Sequence, residues 1–438
     1  MVIKKQIVTR SSQKTTPLYQ DKWGVISPVR FESSRVRLDL GLARAARYFN
    51  DLTFPGLGGV SFIRQLTWSV MGIKLRDDLD QSAMQLAEAI EALAAYIAIH
   101  HSNKVYDYNR RIRGQRKLGD KNHDYSYLRL KTRYVSQPFR MGTGAALVGL
   151  GLASGSQTRF NGLELTSPGL QLAEIHLSRP ISERQTVRDW LMQWVMGSKK
   201  SIPDDLKFTL LPGILGKKDG IPTKYEAKLV KKLLLDNPQR SFVWNSLIAN
   251  KNYFTGNGDG PLINTLDGQK QFLKTIEDSG QRKRMDAAFH FQRMCQLALN
   301  LLGSIGANIN EHRRKGLNHN LSLDDLALQN KNKLENLGIA SKCFLNTMKV
   351  AQIEQQDAQM FVVAQQDSFE QRLKDLIIRS KDYLTMIGGN ADLGRLYKNE
   401  VRFFDPDDQS EEDETAEVVP VRLWRAYRLM CDIEGAIV

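Results

Sequence analysis

Apolar residues recur at helical spacing along most of this chain. In residues 36–50, Leu38, Leu42, Ala45, Ala46 and Phe49 share one face, which predicts a first helix. Pro55-Gly56-Leu57-Gly58-Gly59 interrupts the pattern, as proline and glycine do. A second helix is predicted over residues 60–73. A third, over residues 82–100, is rich in alanine and leucine. Beyond residue 224 most windows again read as helix, most strongly residues 285–302 and 369–387. Residues 420–433 form a short amphipathic helix bearing Val421, Leu423, Trp424, Tyr427, Leu429 and Met430.

The pattern changes between residues 124 and 179. A short basic helix, residues 125–134, is followed by a helix opened by Pro138 and running to Leu150. A two-stranded ribbon comes next. Leu152-Ala153 leads to a polar tip, Ser154 to Arg159, and Phe160 to Leu165 returns. Thr166-Ser167-Pro168-Gly169 opens a last helix. Residues 199–223, rich in Pro, Gly and Lys, read as a linker, and residues 252–268 as a Gly- and Asn-rich loop.

Charge sharpens this picture. The chain of 438 residues carries a net +14. Residues 101–160 hold twelve basic side chains and three acids, a net +9, the kind of concentration a phosphate-binding surface needs. Residues 405–417 hold eight acids and no base, and read as a self-repelling linker or as a competitor for the basic surface. The longest apolar stretch, residues 83–99, is interrupted by Gln85, Glu88 and Glu91, so no membrane span and no membrane partner are expected. The N-terminus lacks a secretory pattern, and Cys295, Cys343 and Cys431 lie far apart. These features predict a cytoplasmic protein with no disulfide framework, metal or cofactor.

The words Gly149-Leu150-Gly151-Leu152-Ala153, the polar tip with Arg159, and Leu163-Glu164-Leu165-Thr166-Ser167-Pro168-Gly169 resemble a winged-helix DNA-binding domain. The resemblance covers about 55 residues, roughly 124–179. It implies a recognition helix over residues 136–150 that offers Gln137, Arg140 and Thr143 to a DNA groove. Arg159 would stand at the wing tip, with Arg129, Lys131 and Arg133 as further DNA contacts. Gly142 and Gly144 weaken a helix by about 1 kcal/mol each, which favours backbone contact over base readout. Leu40-Gly41-Leu42 and Phe54-Pro55-Gly56-Leu57 give the whole chain a similarity to uncharacterised bacterial proteins of defence and mobile-element islands.

The expected architecture is therefore mainly α. A helical domain with an N-terminal arm (residues 1–120) precedes a winged helix-turn-helix with a small β-wing (121–180). A connecting helix and linker (181–223), a second helical domain (224–404), the acidic linker (405–419) and a C-terminal amphipathic helix (420–438) follow.

Sequence motifs argue against chemistry. No GxxxxGK[ST] loop and no His-Glu-x-x-His occur. Arg314 and His319 loosely resemble the Arg-x4-6-His pair of helical ribonucleases of the HEPN type, in which one residue clamps phosphate and the other moves protons. The expected function is a non-catalytic subunit of a bacterial DNA-acting complex. Its partners would be duplex DNA and an ATPase or nuclease subunit. A ribonuclease effector and a kleisin-like ATPase adaptor are the alternatives.

Overall fold

The computed structural model describes residues 36–100, 112–115, 117–119, 122–130, 132–156, 159–198, 201–212, 222–255, 260–317, 321–397, 401–403 and 419–437. Among them the chain is mainly helical, with seventeen α-helices and four two-stranded sheets. No helix is long and apolar enough to cross a membrane.

Two hydrophobic cores organise these elements. The first surrounds the helices Ile63–Asp78 and Ala83–His100, both buried over most of their circumference. They approach closely because Gly72 lies against Ala87, where a side chain would collide. The helices Arg140–Gly149, Ser167–Leu177, Val187–Val195, Lys224–Leu235 and Pro238–Ala249 pack around this pair. The second core surrounds Ser279–Arg314, a helix of 36 residues and about 54 Å. Met285 and Phe289 of that helix lie in the first core and the stretch from Phe291 to Ile309 in the second, so one rod joins both.

Segments distant in sequence share these cores. The helix Ala43–Thr53 belongs to the second, where Phe49 stacks on Phe291 with centroids 4.5 Å apart. The strand Val36–Leu38 pairs in parallel with Val401–Phe403. The C-terminal helix Val421–Ile437 returns to the first core, where Leu423, Ala426, Leu429, Met430 and Ile433 are fully buried. Its Asp432 accepts the backbone N–H of Ile63 at 2.9 Å. The amphipathic tail therefore docks on its own chain.

Several boundaries differ from the periodicity. Residues 36–50 do not form one helix: Leu40 and Gly41 both have positive φ, and the turn separates the strand from the helix that starts at Ala43. The helix expected over residues 369–387 stops at Arg379, and Leu384–Ile387 pairs with Asn390–Leu393 as a hairpin. Residues 199–223 are not a loose linker throughout. The helix Asp204–Leu210 lies within them and buries Leu206 and Leu210, and the Leu210 carbonyl accepts from Trp68 Nε1 at 3.0 Å. The acidic run 405–417 lies outside the described residues.

Candidate nucleic-acid interface

The described residues of the basic segment between 112 and 140 are strapped along one helix. Ile112, Leu118, Tyr125, Leu128, Tyr134 and Phe139 are buried in the first core, so the segment is anchored by apolar side chains at intervals. Its contacts run antiparallel to Ala83–His100. His100 Nε2 donates to the Leu118 carbonyl at 2.6 Å. The Tyr96 and His123 rings lie 5.3 Å apart. Tyr134 donates its hydroxyl to Glu91 at 2.7 Å, and Arg140 Nε donates to Glu88 at 2.9 Å. Beyond the next helix the hairpin closes the row: Asn161 Oδ1 accepts from the Met84 N–H at 2.8 Å. Met84 to His100 spans about 24 Å of helix axis.

The two acids that interrupt the alanine-rich helix are what hold the strap. Glu91 accepts the backbone N–H groups of Phe139 and Arg140 at 2.8 and 3.2 Å, at the N-terminus of Arg140–Gly149. A carboxylate there meets unsatisfied N–H groups and the positive end of the helix dipole. Burial nevertheless pushes the Glu91 carboxyl up, against the opposing pull of Arg113 and these donors. Arg113 lies 3.8 Å over the Phe139 ring and donates to the Gln137 carbonyl at 2.5 Å.

On the outside cations outnumber acids, with Asp124 the one exposed carboxylate among the described residues between 112 and 140. Lys117, Arg129, Arg133 and Arg159 are exposed, and none pairs with a carboxylate among the described residues. The Arg129 guanidinium sits 5.8 Å over Tyr125 and that of Arg133 5.0 Å over Tyr127. Stacking of this kind pre-orients a planar cation while its N–H donors remain available.

The other expected contacts are placed differently. Thr143 is fully buried and hydrogen-bonds Ser69 at 2.8 Å. Arg140 is 12% exposed and committed to Glu88. Gln137 is half-buried, and Lys131 lies outside the described residues. The helix they were expected to expose, Arg140–Gly149, starts four residues later than residue 136, and Met141 is its one exposed residue. The reason is close backbone packing: Gly59 N donates to the Gly142 carbonyl at 2.7 Å, and a Cβ on Gly56 would lie 3.0 Å from the Gly149 Cα. This helix cannot turn Arg140 and Thr143 into a groove.

The order of elements around it is short helix Tyr125–Leu128, helix Arg140–Gly149, hairpin Ala153–Ser154 with Glu164–Leu165, and helix Ser167–Leu177. Thr166 caps the last, accepting the Gly169 N–H at 3.4 Å, with proline in the first turn. The hairpin pairs only Ala153 with Leu165 and Ser154 with Glu164.

A second polar cluster escapes sequence reasoning. Arg64, Thr67, His176 and Glu226 meet in the first core, all but inaccessible. Glu226 bonds Arg64 at 3.2 Å and His176 at 3.1 Å, and accepts from the Thr67 hydroxyl. Burial raises the Glu226 carboxyl, but Arg64 and His176 outweigh it and hold it at about 2. Burial lowers the His176 imidazole, against the pull of Glu226. The one sequence signal was Thr223-Lys224-Tyr225-Glu226, a capping box whose glutamate serves both the cap and the cluster. Closed on every side, the cluster ties three helices together.

Arg314 is exposed at the last residue of its helix, and Gly316 at φ +69° turns the chain away. His319 lies outside the described residues. Neighbouring Arg313 is engaged by Asp392 at 2.5 Å. Comparison with protein-family models, with curated proteins and with solved structures finds no match to this chain.

Proposed function

We propose that this chain is a non-catalytic subunit of a DNA-acting assembly and grips duplex DNA by its phosphates, through the outer face of the strap. The observation that carries this reading is the division of charge along Ala83–His100. Glu88 and Glu91 are turned inward and occupied by the strap itself, while Lys117, Arg129, Arg133 and Arg159 stand outward with no carboxylate partner among the described residues. Phosphate contacts of this kind position a protein on DNA without reading sequence.

The helix, helix, hairpin, helix order supports a winged-helix-like reading of residues 124–179. In this reading the hairpin side, with Arg159, and the strap make the contacts, and the buried helix Arg140–Gly149 serves as scaffold. A catalytic partner, an ATPase or nuclease in a bacterial defence or mobile-element system, would supply the chemistry.

Fluorescence anisotropy with a labelled duplex tests this. The four outward cations of this face contribute about −3.6 to the log–log salt slope, so affinity falls at least about 150-fold between 50 and 200 mM salt. Absence of binding at 50 mM salt, or binding indifferent to salt, overturns the reading.

A further inference from the structure

We propose that the helix Lys224–Leu235 carries a second phosphate-binding surface, a ridge of Lys224, Lys228 and Lys232 beside Tyr225, that takes the backbone of duplex DNA. The proposal deepens the reading above but stands on different residues and a different element.

The three lysines sit at i, i+4 and i+8, on one face of the helix, and all are exposed. None pairs with a carboxylate among the described residues. Their spacing is about 6 Å per step along the axis, so the ridge is a linear track of about 12 Å. One DNA strand winds about its axis as it rises about 3.4 Å per phosphate, so successive phosphates lie farther apart along the strand than that rise and the three lysines match about three of them. Tyr225 is 79% exposed on the same side, and a tyrosine hydroxyl is a phosphate-contacting group.

The ridge is unfavourable for the helix on its own. Like charges four residues apart repel, and Lys224 stands at the first helical position, where the helix dipole disfavours a cation. The helix's own acid does not relieve this: Glu226 is fully buried against Arg64 and His176. Asp236 follows Lys232 at the C-terminal cap and is the only exposed carboxylate within the helix or its caps. Lys231, by contrast, is neutralised by Glu434 at 2.8 Å. A row of cations left uncompensated where compensation exists next door is a surface shaped for an external polyanion.

A nucleic acid fits better than a membrane. Helices that lie on lipid insert an apolar face below their lysines. Here that face, Ala227, Val230, Leu233 and Leu234, is spent in the first core. The ridge is also rigidly joined to the scaffold of the strap. Buried Arg240 donates to the carbonyls of Leu233, Leu234 and Gly149, each at 2.9 Å, which ties the end of this helix to the end of Arg140–Gly149.

The test uses the full chain in three forms: unaltered, with Lys224→Gln, Lys228→Gln and Lys232→Gln together, and with Arg129→Ala, Arg133→Ala and Arg159→Ala together. Anisotropy is measured on a labelled duplex from 50 to 200 mM salt, and flotation on phosphatidylserine-containing vesicles. The ridge variant should keep the melting temperature and lose about 2–3 from the salt slope, and a Lys→Arg version of the same three positions should restore it. An unchanged slope overturns the proposal, and so does loss of vesicle binding with duplex binding intact. The strap variant is scored separately: if it binds as before while the ridge variant fails, the strap reading falls and the ridge stands.

Discussion

The backbone N–H of Gly59 donates to the carbonyl of Gly142 at 2.7 Å, across two segments that the sequence separates by more than eighty residues. This contact gives Gly142 a packing role beyond weakening a helix. It also turns the helix Arg140–Gly149 from an expected DNA reader into a buried support. A Cβ on Gly59 would come within 2.8 Å of the Gly142 Cα. Gly59→Ala should destabilise the protein by about 1–3 kcal/mol, as overpacking does. Chemical denaturation checks this, and an unaltered midpoint would refute the close crossing.

Arg140 separates fold from binding. Its guanidinium is held by Glu88, which is itself 8% exposed. Arg140→Ala leaves that carboxylate buried alone and should cost about 3 kcal/mol. The salt slope of DNA binding should not move. A lower slope with unchanged stability would return Arg140 to the interface.

The outward cations should behave in the opposite way. Replacing Arg129, Arg133 and Arg159 together with alanine removes three phosphate contacts and should lower the salt slope by about 2.7. The melting temperature should stay within a degree or two, since surface changes seldom alter stability by more than about 0.5 kcal/mol. If only Arg159→Ala among the single variants is silent, the hairpin stands clear of the DNA.

The Arg64–His176–Glu226 cluster predicts an acid-sensitive fold. Glu226 is held at about 2, below its ordinary 4.5, so the unfolded chain binds more protons between those values. Its contribution is therefore complete above pH 4.5 and lost as pH falls toward 2. His176 is lowered from 6.5, so its contribution is complete above pH 6.5 and declines below it. Stability should fall on going from pH 7 to pH 4. Glu226→Gln should cost about 3–5 kcal/mol at pH 7 by leaving Arg64 without its carboxylate. The gap to the unaltered protein should widen below pH 6.5, because losing Glu226 also lets burial depress the His176 imidazole further. Denaturation across this range reads both, and a gap that narrows between pH 7 and 4.5 would contradict the assignment.

The C-terminal helix completes the first core rather than waiting for a partner. Leu429→Ala should cost about 2–5 kcal/mol, as a fully buried leucine does. A chain ending at residue 418 should aggregate, because it exposes the surface that Leu423, Leu429 and Ile433 cover. A monomeric, cooperatively folding truncation would show that the helix is dispensable.

By itself the sequence determined the mainly helical class, because a helix writes its buried face into a 3.6-residue period that needs no partner to be read. It also determined the caps at Thr166, the hairpin after Leu152, the existence of a C-terminal amphipathic helix and the concentration of basic residues between 101 and 160. Tertiary structure alone decided what each face meets. Periodicity marks a buried stripe but carries no address, so nothing local says that Ala43–Thr53 joins the second core or that Asp432 receives the N–H of Ile63. The same holds for charge. Glu88 and Glu91 read as interruptions of an apolar helix until Arg140, Tyr134 and two backbone N–H groups arrive from about fifty residues away. Which cations face solvent and which are consumed inside depends on those arrivals, since a buried carboxylate is tolerated only where donors converge on it.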